Sequence, residues 1–340
     1  MKALFAALCL VGQVAVLGFM AGEREYILRT GETVYLRTAP VDPRDLFRGD
    51  YVALDYEAAR IGKEQWRGTP GLERLEKGRR VYAKLRLGPE RLAEIDHVSD
   101  VAPGEQPYLA GRLTYGVTLT GTVLQLPVKF GVERLFVEQG RGREIEQKLG
   151  DRQGVQVPME VELALAANGT AVIRGYRWSR LGTQLEVLRR PEPRRGDGSV
   201  ADPSLPRSPL VRLTLRNVST EPLSVVNPGP DCGFALMAAE WARQDYRQVE
   251  RGCAGALANV PEEHVLKPGE DYAVEVDLAE ALWHVTAGEK TDEIGKLAEW
   301  DRFRLVYRSP DAYAPGAALG ARLWRGRLPS RAFNASGYVD

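Results

Sequence analysis

The apolar run Ala3–Gly22 at the start of the chain is its most constraining feature. Gln13 is the one strongly polar residue within it, and Lys2 precedes it. A helix of about 20 residues is long enough to cross the hydrocarbon core of a bilayer. We therefore expect residues 1–22 to form a membrane anchor or a signal segment, with the rest of the chain exported from the cytoplasm.

A cleaved signal peptide is the alternative to an uncleaved anchor. Phe19 stands where a cut after Ala21 would require a small residue, and the run is long for the apolar region of a signal peptide. The sequence therefore favours the anchor. Lys2 lies before the helix, whereas the charges of Glu23–Glu25 nearly cancel, which favours translocation of the C-terminal part. We expect inner-membrane anchoring with the domains in the periplasm.

The charge of the chain is balanced, with 46 Lys and Arg residues against 46 Asp and Glu residues. Balanced charge gives no electrostatic footprint for nucleic acid, so no nucleic-acid partner is expected. A length of 340 residues exceeds what one hydrophobic core usually serves and predicts two domains. A segment rich in proline, glycine and charge at 191–209 predicts the linker between a domain at 23–190 and another at 210–337.

The fold class predicted for both domains is mainly β with minor α. In the first domain, Met159–Ala166 and Ala171–Arg177 are joined through an Asn-Gly pair, which favours a tight hairpin turn. Apolar residues alternate with Glu160 and Glu162 before that turn. This alternation predicts a strand with one buried face and one solvent-exposed face.

Two other local patterns give predictions that the structure can test. Tyr26–Arg29 and Thr33–Arg37 flank a Thr-Gly-Glu turn, which predicts a first hairpin. Short helices are expected at Leu72–Lys77, Pro89–Ile95 and Arg143–Leu149 in the first domain and at Thr291–Trp300 in the second.

The second domain has the strand and turn spacing of a small antiparallel β-sandwich. Its pattern resembles, in a generic way, the immunoglobulin-like accessory domains of bacterial surface proteins. In those domains a strand ending in LRNVS, here within Leu210–Ser219, is followed by PL and later by LKPGE. We therefore expect a sandwich-like second domain.

The chain has three cysteines, and Cys9 lies in the apolar run. Cys232 and Cys253 remain as the pair in the folded part, which predicts one disulfide in an oxidising compartment. Two buried free thiols are the alternative. Neither cysteine belongs to a CxxC pair or has a ligand at metal-binding spacing, so no metal site is expected.

The segment Ala39–Glu57 reads APVDPRDLFRGDYVALDYE and combines aromatic and charged residues. Five of its residues fill every fixed position of the signature that names the GDYXXLXY family of bacterial proteins, namely Gly49, Asp50, Tyr51, Leu54 and Tyr56. The lead-in of that signature is matched by Asp42, Arg44, Asp45 and Arg48. The segment therefore resembles this family.

A second segment, Lys129–Glu146, is similar to a later block of the same family. In that block a Glu-Arg pair precedes an aromatic strand and a glycine-rich turn. The matching residues here are Glu133, Arg134, Glu138 and Gly140. The resemblance covers the first domain, about half of the chain, and does not extend to the second.

This resemblance implies membrane-anchored bacterial proteins without an assigned activity, often encoded beside multi-pass membrane proteins. A multi-pass integral membrane protein is therefore the expected partner, with the N-terminal helix in the same membrane. The sequence has no GxSxG elbow, Walker loop, HExxH helix or CxxC pair, so no cofactor and no catalytic residue are expected.

The residues of the motif favour a structural role. In a strand that starts at Tyr51, the side chains of Val52, Leu54 and Tyr56 share one face. The lead-in mixes carboxylates and guanidinium groups, which neutralise each other more readily than they gather a cation. A ligand or metal site in the lead-in is the alternative.

The motif also resembles, weakly, the strand start of signal peptidases. Lys84 would lie where such an enzyme needs its general base, but Val41 or Asp42 stands where the nucleophilic serine would be required. A base without a nucleophile supports no acyl transfer. The resemblance therefore suggests shared β-architecture without protease activity.

The sequence favours a non-enzymatic envelope protein that binds or scaffolds an integral membrane partner. One alternative is an envelope hydrolase of unfamiliar design that uses the carboxylates between Asp42 and Asp50. Another is a cell-wall or carbohydrate-binding module. That module would use whichever indoles are exposed among Trp241, Trp283, Trp300 and Trp324.

Overall fold

The computed structural model of the protein describes residues 2–38, 51–54, 56, 61–62, 65–119, 125–138, 141–149, 154–191, 206–228, 232–239, 246–249, 262–309 and 323–339. These residues form helices α1 (Lys2–Thr30) and α2 (Arg141–Leu149) and a long series of β-strands. In chain order the strands are β1 Glu32–Arg37, β2 Tyr51–Ala53, β3 Ile61–Gly62, β4 Arg74–Leu75, β5 Arg80–Leu87, β6 Ala93–Ser99, β7 Tyr108–Leu113, β8 Val117–Thr118, β9 Gln125–Leu126, β10 Val128–Lys129, β11 Arg134–Phe136, β12 Met159–Leu165, β13 Ala171–Trp178, β14 Leu181–Arg189, β15 Leu210–Asn217, β16 Leu223–Asn227, β17 Phe234–Ala238, β18 Arg247–Gln248, β19 Glu262–Leu266, β20 Asp271–Asp277, β21 Val285–Ala287, β22 Lys290–Asp292, β23 Arg302–Arg308, β24 Arg327–Pro329 and β25 Phe333–Asn334. The protein is mainly β, as predicted, and α2 confirms the helix expected at Arg143–Leu149.

Helix α1 contains the whole apolar run and continues to Thr30. Within the described part of the chain, no helix combines the length and apolar character needed to cross a membrane. The predicted first hairpin is wrong, because Tyr26–Arg29 is helical. The helix is held there by the Thr30 hydroxyl, which donates to the Tyr26 carbonyl at 2.8 Å, and by the Glu25–Arg29 pair at 2.7 Å.

The chain divides into two compact units. Unit 1 comprises residues 1–38, 56–135 and 160–177, and unit 2 comprises residues 39–55, 136–159 and 178–340. Strand β14 pairs along its length with β15, so these two strands share a sheet of unit 2. Most of the predicted linker lies outside the described residues, and the predicted domain limits stay predictions.

Unit 1 is built from small antiparallel sheets. The main ones have the strand orders β1-β12-β13 and β10-β7-β5-β6, and two-stranded pairs join β3 with β9 and β4 with β8. The hairpin between β12 and β13 is confirmed: Gly169 adopts a φ of 79°, and its amide donates to the Ala166 carbonyl. Val161, Leu163 and Leu165 are buried, as their alternation along β12 predicts.

Unit 2 holds a sheet of order β14-β15-β20 and another of order β17-β23-β24, in which β25 also pairs with β23. Buried side chains from both sheets form one hydrophobic cluster, with Leu213 and Val276 from the first sheet and Leu305 and Tyr307 from the second. The sandwich arrangement of these sheets stays a prediction.

Three predicted helices are wrong. The segments Leu72–Lys77 and Pro89–Ile95 contain β4 and the start of β6, with a 3₁₀ turn at Pro89–Arg91. The third is the helix predicted at Thr291–Trp300. Lys290–Asp292 instead forms β22, in a hairpin with β21, and Ile294–Lys296 is a short 3₁₀ turn. Gly295 approaches another segment so closely that a Cβ there would lie 1.8 Å from the Arg207 carbonyl oxygen. The Gly295 amide donates to the Ser208 hydroxyl at 2.9 Å, so a distant segment of the chain shapes this turn.

The junction between α1 and β1 is fixed by the side chain of Arg174. Its Nη2 donates to the Leu28 carbonyl at 2.5 Å, and its Nη1 donates to the Thr33 hydroxyl at 2.6 Å. A cationic donor at a helix C-terminus satisfies terminal carbonyls and complements the helix dipole. The Gly31 amide donates to the Ile27 carbonyl at 2.8 Å and completes the end of the helix.

Replacing Gly31 by alanine should destabilise unit 1 by about 1–3 kcal/mol, because the site has no room for a methyl group. A Cβ there would lie 2.6 Å from the Ile27 oxygen and 2.9 Å from the Leu165 nitrogen, both backbone atoms. Thermal unfolding of the full-length protein in detergent measures the loss. Gly104→Ala is the control, because nothing lies within 4 Å of a Cβ at that position. Equal melting of the two variants would contradict this account of the junction.

Candidate functional site

The described part of the family motif is its strand and the residues just after it. Val52, Leu54 and Tyr56 are all buried, which fits a shared face, and Tyr51 begins β2. The charged lead-in lies outside the described residues, as does Gly140 of the second block. The residues concerned are Asp42, Arg44, Asp45 and Arg48 of the lead-in and Gly49 and Asp50 of the signature.

Tyr56 ends the motif with a buried hydroxyl that donates to the Val132 carbonyl at 2.6 Å. Burial raises the pKa of this phenol well above its ordinary value, and the nearby Glu133 charge raises it further. The hydroxyl therefore stays protonated at physiological pH and serves as a hydrogen-bond donor. Nothing in this geometry activates it as a nucleophile.

Glu133, from the second family block, closes the turn that Tyr56 contacts. Its Oε1 accepts from the Phe130 amide at 2.5 Å and its Oε2 accepts from the Gly131 amide at 3.1 Å. Gly131 has a φ of 83°, which favours glycine. The phenol and the carboxylate thus both bond to the backbone of one turn.

The two family blocks also meet within unit 2. Helix α2 packs against β2, and a Cβ on Gly142 would lie 3.9 Å from the Val52 side chain. Glu138 precedes the helix and accepts from the Arg141 amide through its carbonyl at 3.1 Å. Arg134 is exposed in β11. The described motif residues therefore act through packing and turn geometry.

A buried charge cluster is the feature that the sequence did not reveal. Glu160 accepts from Arg37 at 2.8 Å and from Arg177 at 2.7 Å, and the Arg177 guanidinium lies 3.9 Å from the centre of the Tyr35 ring. The prediction that Glu160 lies on a solvent-exposed face of β12 is wrong, because Glu160 is only 5% exposed. The arginines on neighbouring strands allow this burial, because they neutralise the carboxylate.

The pKa of Glu160 reflects a competition. Burial alone would raise it, but the attraction and hydrogen bond of Arg37, followed by those of Arg177, outweigh burial and lower the pKa below its ordinary value of 4.5. The carboxylate is therefore ionised at physiological pH and acts as a structural counter-ion.

Other candidate residues are placed as follows. The Lys84 ammonium donates to the carbonyls of Glu105 at 2.9 Å and Gln106 at 3.3 Å, which is a structural role.

Cys9 is a free, exposed cysteine. Cys253 lies outside the described residues, so its pairing with Cys232 stays a prediction. Among the described residues, no group of three or more His, Cys, Asp or Glu side chains is placed to hold a metal ion.

The tryptophans differ sharply in exposure. Trp283 and Trp324 are buried in the core of unit 2, whereas Trp300 is 73% exposed. Trp241 lies outside the described residues. Trp300 is therefore the described member of the predicted aromatic set that is accessible to a ligand.

Residues 13–175 match the family model described as GDYXXLXY protein. This first part of the chain belongs to the GDYXXLXY family, as its motif predicted. Comparison with curated proteins and with solved structures gave no match.

Replacing Tyr56 by phenylalanine should destabilise unit 1 by about 1–3 kcal/mol, because the Val132 carbonyl loses the donor that it has in the buried turn. Urea unfolding of the full-length protein measures this loss. Tyr115→Phe is the matched control. Tyr115 is 60% exposed, and removing a solvent-exposed hydroxyl should change stability little. If both variants were as stable as the wild type, the turn would not depend on Tyr56.

Replacing Glu160 by glutamine should cost about 3–5 kcal/mol, because Arg37 keeps a buried charge without its carboxylate. The effect depends on pH. The pKa of Glu160 in the folded state lies below 4.5. The stabilisation by its carboxylate is therefore present above about pH 4.5 and is lost as the pH falls through the folded-state pKa. The difference in unfolding free energy between wild type and variant should therefore shrink towards acid.

The control for Glu160 is Glu94→Gln, which breaks the exposed Arg86–Glu94 pair at 2.8 Å. An exposed pair contributes about 0–1 kcal/mol, so this variant should change stability little. A Glu160→Gln variant that matched this control across the pH range would refute the proposed role of the cluster.

Proposed function

We propose that the protein is a non-catalytic binding or scaffolding subunit of the bacterial cell envelope. Helix α1 anchors it in the inner membrane, its β-rich units lie in the periplasm, and its partner is a multi-pass integral membrane protein. The anchor inserts the full apolar run Ala3–Gly22. Unit 2 is a β-sandwich, and Cys232 pairs with Cys253.

The observation that carries this proposal is the surface of α1. Leu10, Val11, Leu17 and Phe19 are each more than 60% exposed, and at 100° per residue Phe19 lies opposite Leu10. A helix that is apolar around its whole circumference is stable when lipid or other apolar helices surround it. This supports insertion of α1 into an apolar phase.

The fixed end of α1 supports a scaffolding role. Arg174 holds the last carbonyls of the helix, and Gly31 packs on the backbone of β12, so the helix and the sheet β1-β12-β13 form one continuous unit. An anchor joined in this way holds its sheet in a set orientation at the membrane surface. A flexible tether would not do so.

The helix also has a surface that a partner helix fits. Gly18 and Gly22 are spaced by four residues on one face of α1, and nothing lies within 4 Å of a Cβ at either position. Small residues at this spacing let helix backbones approach closely within a membrane. This supports helix packing as the contact with an integral membrane partner.

The described motif residues support a non-catalytic role. Tyr56 and Glu133 hold a turn, and Glu160 is a structural counter-ion. The polar groups of Tyr56 and Glu133 are engaged by the fold, which supports a structural role for both. The hydrolase alternative relies on the carboxylates of Asp42, Asp45 and Asp50, which lie outside the described residues.

The first test is the location of the tagged full-length protein in its host. We expect it in the membrane fraction, with the C-terminal mass digested by protease in spheroplasts. Cys232 and Cys253 should react with a thiol reagent after reduction and denaturation, and not before reduction. Protease protection together with freely reactive thiols would overturn both the location and the disulfide.

The partner is tested by crosslinking in intact membranes. Wild-type protein should recover a multi-pass protein, and Gly18→Leu should lower the yield at least about fivefold, because a larger side chain separates the helices. Gly12→Leu is the control, since Gly12 is equally open but lies on another face. Recovery of a solitary monomer, or equal yields from both variants, would contradict the proposal.

A further inference from the structure

Gln13 is the one strongly polar residue of the apolar run, and it lies at the middle of that run. Its side chain is exposed on the surface of α1. At 1.5 Å per residue, an inserted helix would hold Gln13 about 15 Å from either edge of the hydrocarbon core, which is beyond the reach of its side chain. The carboxamide therefore has to find its hydrogen-bond partners within the membrane.

The carboxamide of Gln13 needs both a donor and an acceptor as partners, because its oxygen accepts and its amino group donates. Backbone amides in the interior of a helix are already bonded to the carbonyls four residues before them, so the backbone around Gln13 has no free donor for its oxygen. Lipid chains offer neither group, and an unbonded amide in hydrocarbon is costly. A neighbouring helix therefore has to supply the missing bonds.

Gln13 belongs to a row of residues with the spacing of a coiled-coil seam. Cys9, Gln13, Val16 and Met20 follow one another at intervals of four, three and four residues, and each of them is exposed. Residues at this spacing face the second helix when two helices supercoil to the left, the usual geometry of helix pairs in membranes. We name these four residues the Gln13 seam. A single polar residue in such a seam fixes the register of the two helices.

The Gln13 seam faces away from the glycines that suit the multi-pass partner. At about 100° per residue, Gly18 lies about 140° from Gln13 around the helix, and Gly22 lies about 180° from it. One neighbouring helix cannot cover both faces. A second copy of the chain suits the seam, because its Gln13 lies at the same depth and its helix has the same orientation. A carboxamide complements itself, so two copies of Gln13 can each donate to the other.

We propose that two copies of the chain pair in parallel along the Gln13 seam, with their carboxamides hydrogen-bonded to each other near the centre of the bilayer. The dimer depends on the insertion of α1 that is proposed above, and it adds a second copy to the multi-pass partner. The same pairing places Cys9 of one copy beside Cys9 of the other, about 6 Å along the helix axis from Gln13. A disulfide between the two cysteines therefore reports on the dimer.

The test is disulfide crosslinking of the full-length protein in intact membranes, with copper phenanthroline as the oxidant. Wild-type protein should give a dimer on a non-reducing gel, and Cys9→Ala should give none, which shows that Cys232 and Cys253 do not form the bond. Gln13→Leu should lower the yield of dimer at least about fivefold, because leucine contributes no hydrogen bond. Gln13→Asn should retain most of the dimer, because asparagine keeps the carboxamide.

Two cysteine variants test the position of the seam. In the Cys9→Ala background, Val16→Cys should restore the dimer, because residue 16 lies on the seam. Val11→Cys is the matched control. Val11 is 65% exposed and Val16 is 59% exposed, but Val11 lies about 160° from Gln13 and should give little dimer. Gly18→Leu should leave the Cys9 crosslink unchanged, because residue 18 lies on the other face.

Carbonate extraction of the same membranes distinguishes failure of the dimer from failure of the anchor. A protein that stays in the membrane and gives no Cys9 crosslink would overturn the dimer and leave the anchor standing. A protein that carbonate releases would overturn both. Equal dimer yields from wild type and Gln13→Leu would refute the pairing, as would a Gln13→Leu variant that loses the multi-pass partner and keeps the dimer.

Discussion

The close approach of Gly31 to the backbone of β12 is the constraint on which the organisation of unit 1 depends. Because Gly31 has no side chain, α1 ends directly on the strand, and the Leu28 carbonyl comes within reach of Arg174. The same strand, near its other end, carries Glu160. One strand therefore serves two tasks: it receives the helix, and it holds the buried charge that ties β1 to β13.

The buried charge cluster also explains why the sheet has a single register. Arg37 is paired with Glu160 across β1 and β12, and the same register places Val34 opposite Leu163. A slip by one residue would separate the charges and turn the apolar residues of β1 away from the core. Removing either partner leaves an uncompensated buried charge, so the ion pair contributes specificity even if its net stabilisation is small.

The sequence was informative where its signals were local. The hairpin between β12 and β13, the helix α2 and the family of the first part of the chain follow from short patterns. The C-terminal end of α1 and the segment 291–300 were predicted wrongly, because their conformations depend on distant partners: Arg174 for the former, and Ser208 for the latter. Glu160 was expected in water for the same reason, since the arginines that bury it lie on other strands.

The family match and the exposed features of the chain carry different information. Tyr56 and Glu133 bond to the same turn, so structural contacts join the two motif blocks. The described part of the motif therefore constrains local folding. Residues that face solvent are under no such constraint, and Trp300 lies beyond residues 13–175, the range that the family model covers. Family membership therefore says little about exposed side chains beyond residue 175, whose roles have to be argued from their own chemistry.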